Sequence, residues 1–567
     1  MIIRIMMNTR CFFWGLFLMF ASQMLGAGVT VEKISSLTRF PGLQSVAYMY
    51  KDTCKTVEGR FPGFSPFFLI YPDKPYDAER ALELVEELGI DAYVHNYSGT
   101  VCVMNPIGNH YDEEKDLEAY KDLLNKWRVI SNLKVIGIGS GATFVNKVIS
   151  KNAGEIAGIV SIGGQASKTD VSVPPVPAFI AGSGSRQAAT SYIRQNEAEM
   201  KYRIGDLSFY ANRQDTLQQV VVSRKKYASL KDTFEEAWKY LLCKNYRFNN
   251  YQHTWYTGAT FNQYGAYELE PYIIPEDWKI TRRTVVKNLL GTGDFLWYEF
   301  HPEATLKAAK GSVPLLLLLH GNNNDPRTQA ETSGFVELCR EENFVVAELE
   351  WQGNGYAPMG LDGIEQVVYY LLRTYPQLDA SRVYAEGLSA GAATATGLGI
   401  RKSHLFAAVG AQSAGLTPNR YMFGYNEEAI MNEALQKRGC VEMPYFSVTG
   451  TDDEVVPFIN RDNWRTNAFF CAWQAYQTMN GMDVAEQPDF SKDATFGLAL
   501  EERVTLSTNK RVTMEAGVLR KGNIPLIKLV AINDYGHWNF KPDARMMWDF
   551  FKQFSRDMQT KKLLIKP

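Results

Sequence analysis

Residues 382–399 read RVYAEGLSAGAATATGLG, and no other stretch restricts the fold of this chain as tightly. A helical pattern precedes it: in GIEQVVYYLLRTYP, Ile364, Val367, Val368, Leu371 and Leu372 recur at helix spacing and a proline closes the run. RVYAEG is short, β-prone and bounded by glycine, as a buried strand is. Alanines and glycines then open a second helix. In the order helix, strand, tight turn, helix, a serine between two glycines is forced into a strained conformation over the sheet edge. Gly387 and Gly391 are glycines because a side chain at either position would strike the neighbouring strand or helix. Ala390, Ala392, Ala393 and Ala395 let that helix lie close to the sheet, and its N-terminus aims backbone N–H groups at negative charge beside Ser389. The alternative in this strand–helix context is a structural glycine turn with an idle serine.

A serine hydroxyl needs a histidine to take its proton and a carboxylate to orient that histidine. Downstream of such an elbow the chain order is serine, acid, histidine. Only His404 and His537 follow Ser389. His404, in RKSHLF, falls on or just beyond the helix that leaves the elbow, whereas His537 follows the apolar strand LIKLVAI in a glycine-bearing loop and is the expected base. MPYFSVTGTDDEVVP reads as a strand and a polar turn. Asp453 is the expected acid, with Asp452 and Glu454 as solvated neighbours in the turn and Asp534 as a weaker rival. The oxyanion donors are expected at Ala390 N–H and, after the leucine strand of VPLLLLLHGNNND, at Asn322 N–H, with Asn323 second. His320 reads as structural.

From about residue 290 onward the motifs PLLLLLHGNNND, LDASRVYAEGLSAGAATA, TGTDDEVVP and YGHWNF resemble the polyhydroxybutyrate depolymerase and feruloyl esterase branch of the α/β-hydrolases. That resemblance implies an α/β fold and places the family's nucleophile on Ser389, acid on Asp453, base on His537 and oxyanion donors on Asn322 and Ala390. The chain departs from it at Asn322, where a cysteine or glycine is usual after HG, and at GHWNF, where GHTWP is usual. The implied activity is a serine esterase acting on feruloyl or acetyl esters of plant polysaccharide, or on a polyester, without metal or organic cofactor. Trp351 and Trp538 are candidate walls of the substrate pocket, together with the stretch 483–522 and its apparent hairpin ERVTLSTNKRVTMEAG. Two other readings remain open: a serine peptidase of the same fold, although no propeller-like repeats precede the catalytic half, and a glycan-binding protein with two inert hydrolase-like domains.

The first half repeats the pattern. SPFFLIYPDK resembles VPLLLLLHGN, NLKVIGIGSGATF resembles SRVYAEGLSAGAA, IAGIVSIGGQASK resembles LFAAVGAQSAG, and VPAFIAGSGS resembles MPYFSVTGTDD. Pro66 precedes Gly139 by 73 positions, and Pro314 precedes Ser389 by 75. Residues 36–240 therefore read as a degenerate α/β-hydrolase-like domain. Gly139 stands at the nucleophile position with Ser140 one place late, Ser185 stands where the other half has Asp453, and His95 and His110 both precede the elbow. GIGSGA lacks the spacing and the acidic partner of a dinucleotide loop. The expected architecture is two α/β-hydrolase-like domains with mostly parallel sheets flanked by helices: 36–240, an aromatic-rich connecting segment 241–285 expected to pack across the domain interface, with a carbohydrate-contacting surface as the alternative, and a catalytic domain 286–567 whose first antiparallel strand is FLWYEF.

The 567 residues carry a net charge of −2, which gives no electrostatic reason to expect nucleic acid or an anionic membrane as partner. At the N-terminus, Arg4 and Arg10 flank an uncharged run to Gly28, read as a signal peptide over 1–27 and hence export to the periplasm or the outside. The run is also just long enough to be an uncleaved anchor; no other stretch suggests stable membrane insertion. Cys54, Cys102, Cys243, Cys339, Cys440 and Cys471 contain no CxxC metal pair. Bridges such as Cys54–Cys102 or Cys440–Cys471 are permitted by export, and buried thiols are the alternative.

Overall fold

The computed structural model describes residues 33–52, 65–96, 99–127, 132–168, 173–247, 269–271, 281–353, 355–416, 441–453, 455–507 and 513–565, with short stretches between 421 and 436. The signal-peptide segment, Cys54, Cys440, Glu454 and most of the 241–285 connecting segment lie outside them. Among the described residues no helix is long and apolar enough to cross a membrane. The chain divides into two compact units, Met1–Asn249 with Thr260–Tyr272 and Asn250–Ala259 with Ile273–Pro567.

The first unit is built on β1 (Thr38–Arg39), β2 (Ala47–Lys51), β3 (Phe67–Tyr71), β4 (Thr100–Met104), β5 (Leu133–Ile138), β6 (Ile156–Ile162), β7 (Ala178–Ala181), β8 (Glu199–Ile204), β9 (Leu207–Ala211) and β10 (Gln219–Ser223). Its strand order is β1-β2-β4-β3-β5-β6-β7-β10-β9-β8. A short ladder, β11 (Asn245–Arg247) with β12 (Leu269–Pro271), follows.

The second unit contains β13 (Thr281–Val286), β14 (Phe295–Phe300), β15 (Val313–Leu319), β16 (Val345–Leu349), β17 (Leu378–Leu388), β18 (Ala408–Gln412), the small ladder β19 (Tyr421–Met422) and β20 (Tyr425–Asn426), β21 (Tyr445–Gly450), β22 (Glu501–Ser507), β23 (Thr513–Lys521), β24 (Ile524–Ile532), β25 (Phe554–Arg556) and β26 (Leu563–Ile565). Its main sheet runs β13-β14-β16-β15-β17-β18-β21-β24-β23-β22, strand for strand the order of the first unit. The inner strands are parallel, and antiparallel strands stand at both ends. Both units are α/β-hydrolase-like. FLWYEF is the second strand of its sheet rather than the first, because β13 pairs with it along its whole length.

The leucine strand shows why this sheet must be covered on both faces. Leu315, Leu317 and Leu319 of β15 belong to one core, with Ile364, Val367, Val368 and Leu371 of the helix Gly360–Thr374 and with Leu398 of the helix Ala390–Arg401. Leu316 and Leu318 alternate into the opposite core, against Phe335 and Val336 of the helix Phe335–Glu342 and Met547, Trp548 and Phe551 of the helix Lys541–Phe551. Fully burying each leucine contributes about 1.5–3 kcal/mol.

The duplication extends to buried anchors. In the first unit the fully buried Arg247 donates from its guanidinium to the carbonyls of Ala153 and Pro175, just ahead of β6 and β7. In the second, Arg556 donates to the carbonyls of Phe406 and Glu442, just ahead of β18 and β21, the corresponding strands. Both arginines lie in the short strand that follows the last described helix of their unit.

Candidate active site

Ser389 caps the helix Ala390–Arg401 with φ 55° and ψ −116°, in the left-handed half of backbone space that a residue with a side chain rarely occupies. The flanking glycines permit it: a Cβ on Gly387 would lie 2.4 Å from the carbonyl carbon of Gly391, and one on Gly391 would lie 2.0 Å from the Leu319 oxygen. The turn is tied to the sheet by Ser389 N–H donating to the Gln412 carbonyl at 2.8 Å.

Three side chains distant in sequence meet here. Ser389 Oγ–H donates to His537 Nε2 at 2.7 Å, and His537 Nδ1–H donates to Asp453 Oδ2 at 2.7 Å. The other oxygen of Asp453 accepts from Val455 N–H at 2.9 Å and Val456 N–H at 2.8 Å, so the carboxylate is fixed by its own turn. Asp453 and His537 are 4% exposed, whereas Ser389 is half-buried. The arrangement can pass a proton from serine to imidazole while the carboxylate holds the ring.

The loops carrying acid and base are pinned to each other. Asp452 N–H donates to the Tyr535 carbonyl at 2.9 Å, and a Cβ on Gly450 would lie 2.0 Å from that same oxygen. Gln412 Nε2–H donates to the Trp538 carbonyl at 2.8 Å, and Asn539 Nδ2–H donates to Gln329 Oε1 at 3.0 Å and Thr332 Oγ1 at 2.7 Å. The rivals lie elsewhere: His404 Nε2 contacts Glu365 Oε1 at 2.9 Å, and Asp534, at φ 56°, shapes the loop through its N–H to Thr451 Oγ1.

The loop after β15 faces the elbow, since a Cβ on Gly321 would lie 3.6 Å from Ser389 Cβ. Ala390 N–H lies at the first turn of the helix. Asn323 N–H is already used, donating to Gln352 Oε1 at 2.7 Å, and Asn324 N–H donates to the Gly321 carbonyl at 3.0 Å. Asn322 is therefore the better placed of the two asparagine candidates. His320 is fully buried, its Nδ1–H donating to the Gly321 carbonyl at 2.8 Å. Trp351 is 2% exposed and donates Nε1–H to the His320 carbonyl at 3.0 Å, which puts it behind this loop; Trp538, 5% exposed, lies within the histidine loop. β22 and β23 form the expected hairpin beyond the acid.

Glu386, three residues before Ser389, went unread in the sequence as more than a strand residue. It flanks Leu318 on one side in the sheet register and Glu348 flanks it on the other. Both are buried, as is Asp543, and Gln329 Nε2–H donates to Glu386 Oε2 at 3.1 Å. Burial pushes the Glu386 carboxyl up to about 8, and burial, then the Glu386 charge, pushes Glu348 and Asp543 well above the usual carboxylate range. The folded chain thus keeps a proton on Glu386 that the unfolded chain releases above its ordinary value of 4.5. The stability that this carboxyl contributes is fully present below that value and is lost as pH rises through the window up to about 8. Glu386→Gln, neutral at every pH, is expected to lose less melting temperature than the wild type between pH 5 and pH 8; equal losses in thermal unfolding would contradict this.

In the first unit Gly139 has φ 57° and ψ −115°, the backbone of Ser389 without its side chain. A Cβ on Gly141 would lie 2.2 Å from the Tyr71 oxygen, as on Gly391 beside Leu319. A Cβ on Gly139 would lie 3.0 Å from Asp73 Cβ. Small and large residues are thus exchanged across the gap: glycine faces serine in the second unit, and aspartate faces glycine in the first. Ser185 opens the helix Ser185–Gln195, His95 is paired with Asp52 at 3.0 Å, and His110 is exposed. Among the described residues no group of three or more His, Cys, Asp or Glu side chains could hold a metal ion. Cys102 and Cys339 are buried thiols.

No known family profile matches the chain. It is similar to the bifunctional acetylxylan esterase/xylanase XynS20E of Neocallimastix patriciarum, 26% identical over 268 residues, 46% of this chain and 34% of that protein. The chain therefore spans about a third of the length of the curated relative it matches. Among solved structures it is similar to an acetyl xylan esterase from Aspergillus awamori (14% identity, TM-score 0.32, 48% of this chain and 99% of that one). It is also similar to a ferulic acid esterase (19% identity, TM-score 0.27, 36% of this chain and 86% of that one).

Proposed function

We propose that the second unit is a serine hydrolase of carboxylic esters. The observation that carries this reading is the hydrogen-bonded line from Ser389 through His537 to Asp453. His537 Nε2 takes the hydroxyl proton as Ser389 Oγ attacks the ester carbonyl. Ala390 and Asn322 N–H groups receive the oxyanion, the imidazolium returns the proton to the leaving alkoxide, and an acyl-serine remains. Water, deprotonated by the same imidazole, then releases the acid. This chemistry proceeds with the chain's own residues.

The substrate class is an acetyl or feruloyl ester on polysaccharide, supported by the likeness to the acetylxylan esterase/xylanase and by the motif resemblance; a hydroxyalkanoate polyester fits the same resemblance. The basic-apolar N-terminus supports export, and the first unit, with glycine at its elbow, supports a structural or substrate-positioning role.

The test is a panel of nitrophenyl acetate, acetylated xylan, feruloylated arabinoxylan and hydroxybutyrate oligomers, run beside peptide amides. Ester turnover with inactivation by an organophosphonate is the expected result. Faster cleavage of amides would make the protein a peptidase; no turnover and no inactivation would leave a glycan-binding protein.

A further inference from the structure

We propose that Gln352 is a positioning residue of the oxyanion loop, an inference that rests on the esterase reading above. Residues 321–324 form a β-turn closed by Asn324 N–H to the Gly321 carbonyl at 3.0 Å, with Asn323 in the left-handed region at φ 57°. A positive φ at the third position, with Asn322 at the second outside that region, defines a type II turn, in which the central peptide group is rotated relative to the commoner type I. Glycine is the usual residue there; asparagine tolerates the position and benefits from a partner that fixes it.

Gln352 is that partner. Its Oε1 accepts the N–H of the central peptide, Asn323, at 2.7 Å, and its Nε2–H donates to Asn322 Oδ1 at 3.0 Å. One amide side chain therefore holds both central residues, one by backbone and one by side chain. Its neighbour Trp351 holds the preceding carbonyl, that of His320. Two consecutive residues after β16 thus clamp the loop at three points.

An oxyanion donor is effective because it is already aimed when charge develops. With Asn323 N–H and Asn322 Oδ1 both committed to Gln352, Asn322 is held by its side chain and by the peptide that follows it, so the preceding peptide, which carries the Asn322 N–H, keeps its direction. Without Gln352, Asn322 is released at its side chain and at the peptide after it, and its N–H holds one direction for only part of the time.

The experiment compares wild type, Gln352→Met, which keeps length and loses both polar contacts, and Gln352→Ala as a second variant if the first fails to fold. Two readouts are taken: kcat and KM on nitrophenyl acetate, and hydrogen–deuterium exchange of peptides covering 320–325. The expected result is a kcat lower by about 10- to 100-fold with KM within about threefold, less than or equal to the loss of a whole donor. Exchange of Asn323 is faster and the melting temperature is unchanged. Adding Asn323→Gly to Gln352→Met, which favours the left-handed backbone, restores at least part of kcat. A kcat within twofold of wild type, unchanged exchange, or no rescue by Asn323→Gly overturns the proposal. A wild type that turns over no ester overturns the esterase reading instead, and the exchange measurement still decides whether Gln352 holds the loop.

Discussion

Asp453→Asn is expected to lower kcat by about 10³–10⁴-fold with little change in KM or melting temperature. The side chain at 453 makes three contacts, and an amide can keep two of them. Its Oδ1 still accepts from Val455 and Val456 N–H, so the turn holds its shape. The third contact reverses. An NH2 group facing His537 Nδ1 is a donor where a donor already stands, so the ring takes the tautomer with its proton on Nε2. That nitrogen then donates toward Ser389 Oγ instead of accepting from it. The base is present, well placed and carries its proton on the wrong atom. Steady-state kinetics on nitrophenyl acetate, with thermal unfolding as control, checks this; activity within tenfold of wild type would contradict it.

The parts of this site that were legible in the sequence are those governed by contacts close along the chain. Gly387 can be read because a side chain there would strike the backbone of Gly391 just ahead of it, whereas the collision at Gly391 is with Leu319 of the neighbouring strand and is legible only because the strand–turn–helix order supplies that neighbour. Asp453 is legible because its turn ends in two amides that it caps itself. The residues that escaped notice act over long separations. Asn539 reaches Gln329 and Thr332 across more than 200 positions, and Gln412 reaches Trp538 across 126. No local pattern marks such residues, except that Gln412 is a polar residue ending an otherwise apolar strand and Glu386 is the one charged residue in the buried part of its strand, a signal of a buried partner. Gln352 carries no such mark. β13, TRRTVV, escaped because four of its six residues are charged or polar, as suits an edge strand.

The central claim is that Ser389 is the attacking atom. Ser389→Ala is expected to reduce kcat by on the order of 10⁵-fold or more, because histidine and aspartate have no role once the hydroxyl they serve is gone. The backbone at 389 keeps φ 55° with a smaller Cβ substituent, so the variant is expected to fold as the wild type does. Activity alone does not identify the atom, and the most direct measurement is the site of covalent capture. Wild type and Ser389→Ala are incubated with a fluorophosphonate, digested and mapped by mass spectrometry. One adduct per wild-type chain is expected, on Ser389, and none on the variant. An adduct on another serine, Ser140 or Ser185 of the first unit included, or ester turnover that survives in Ser389→Ala, would contradict it.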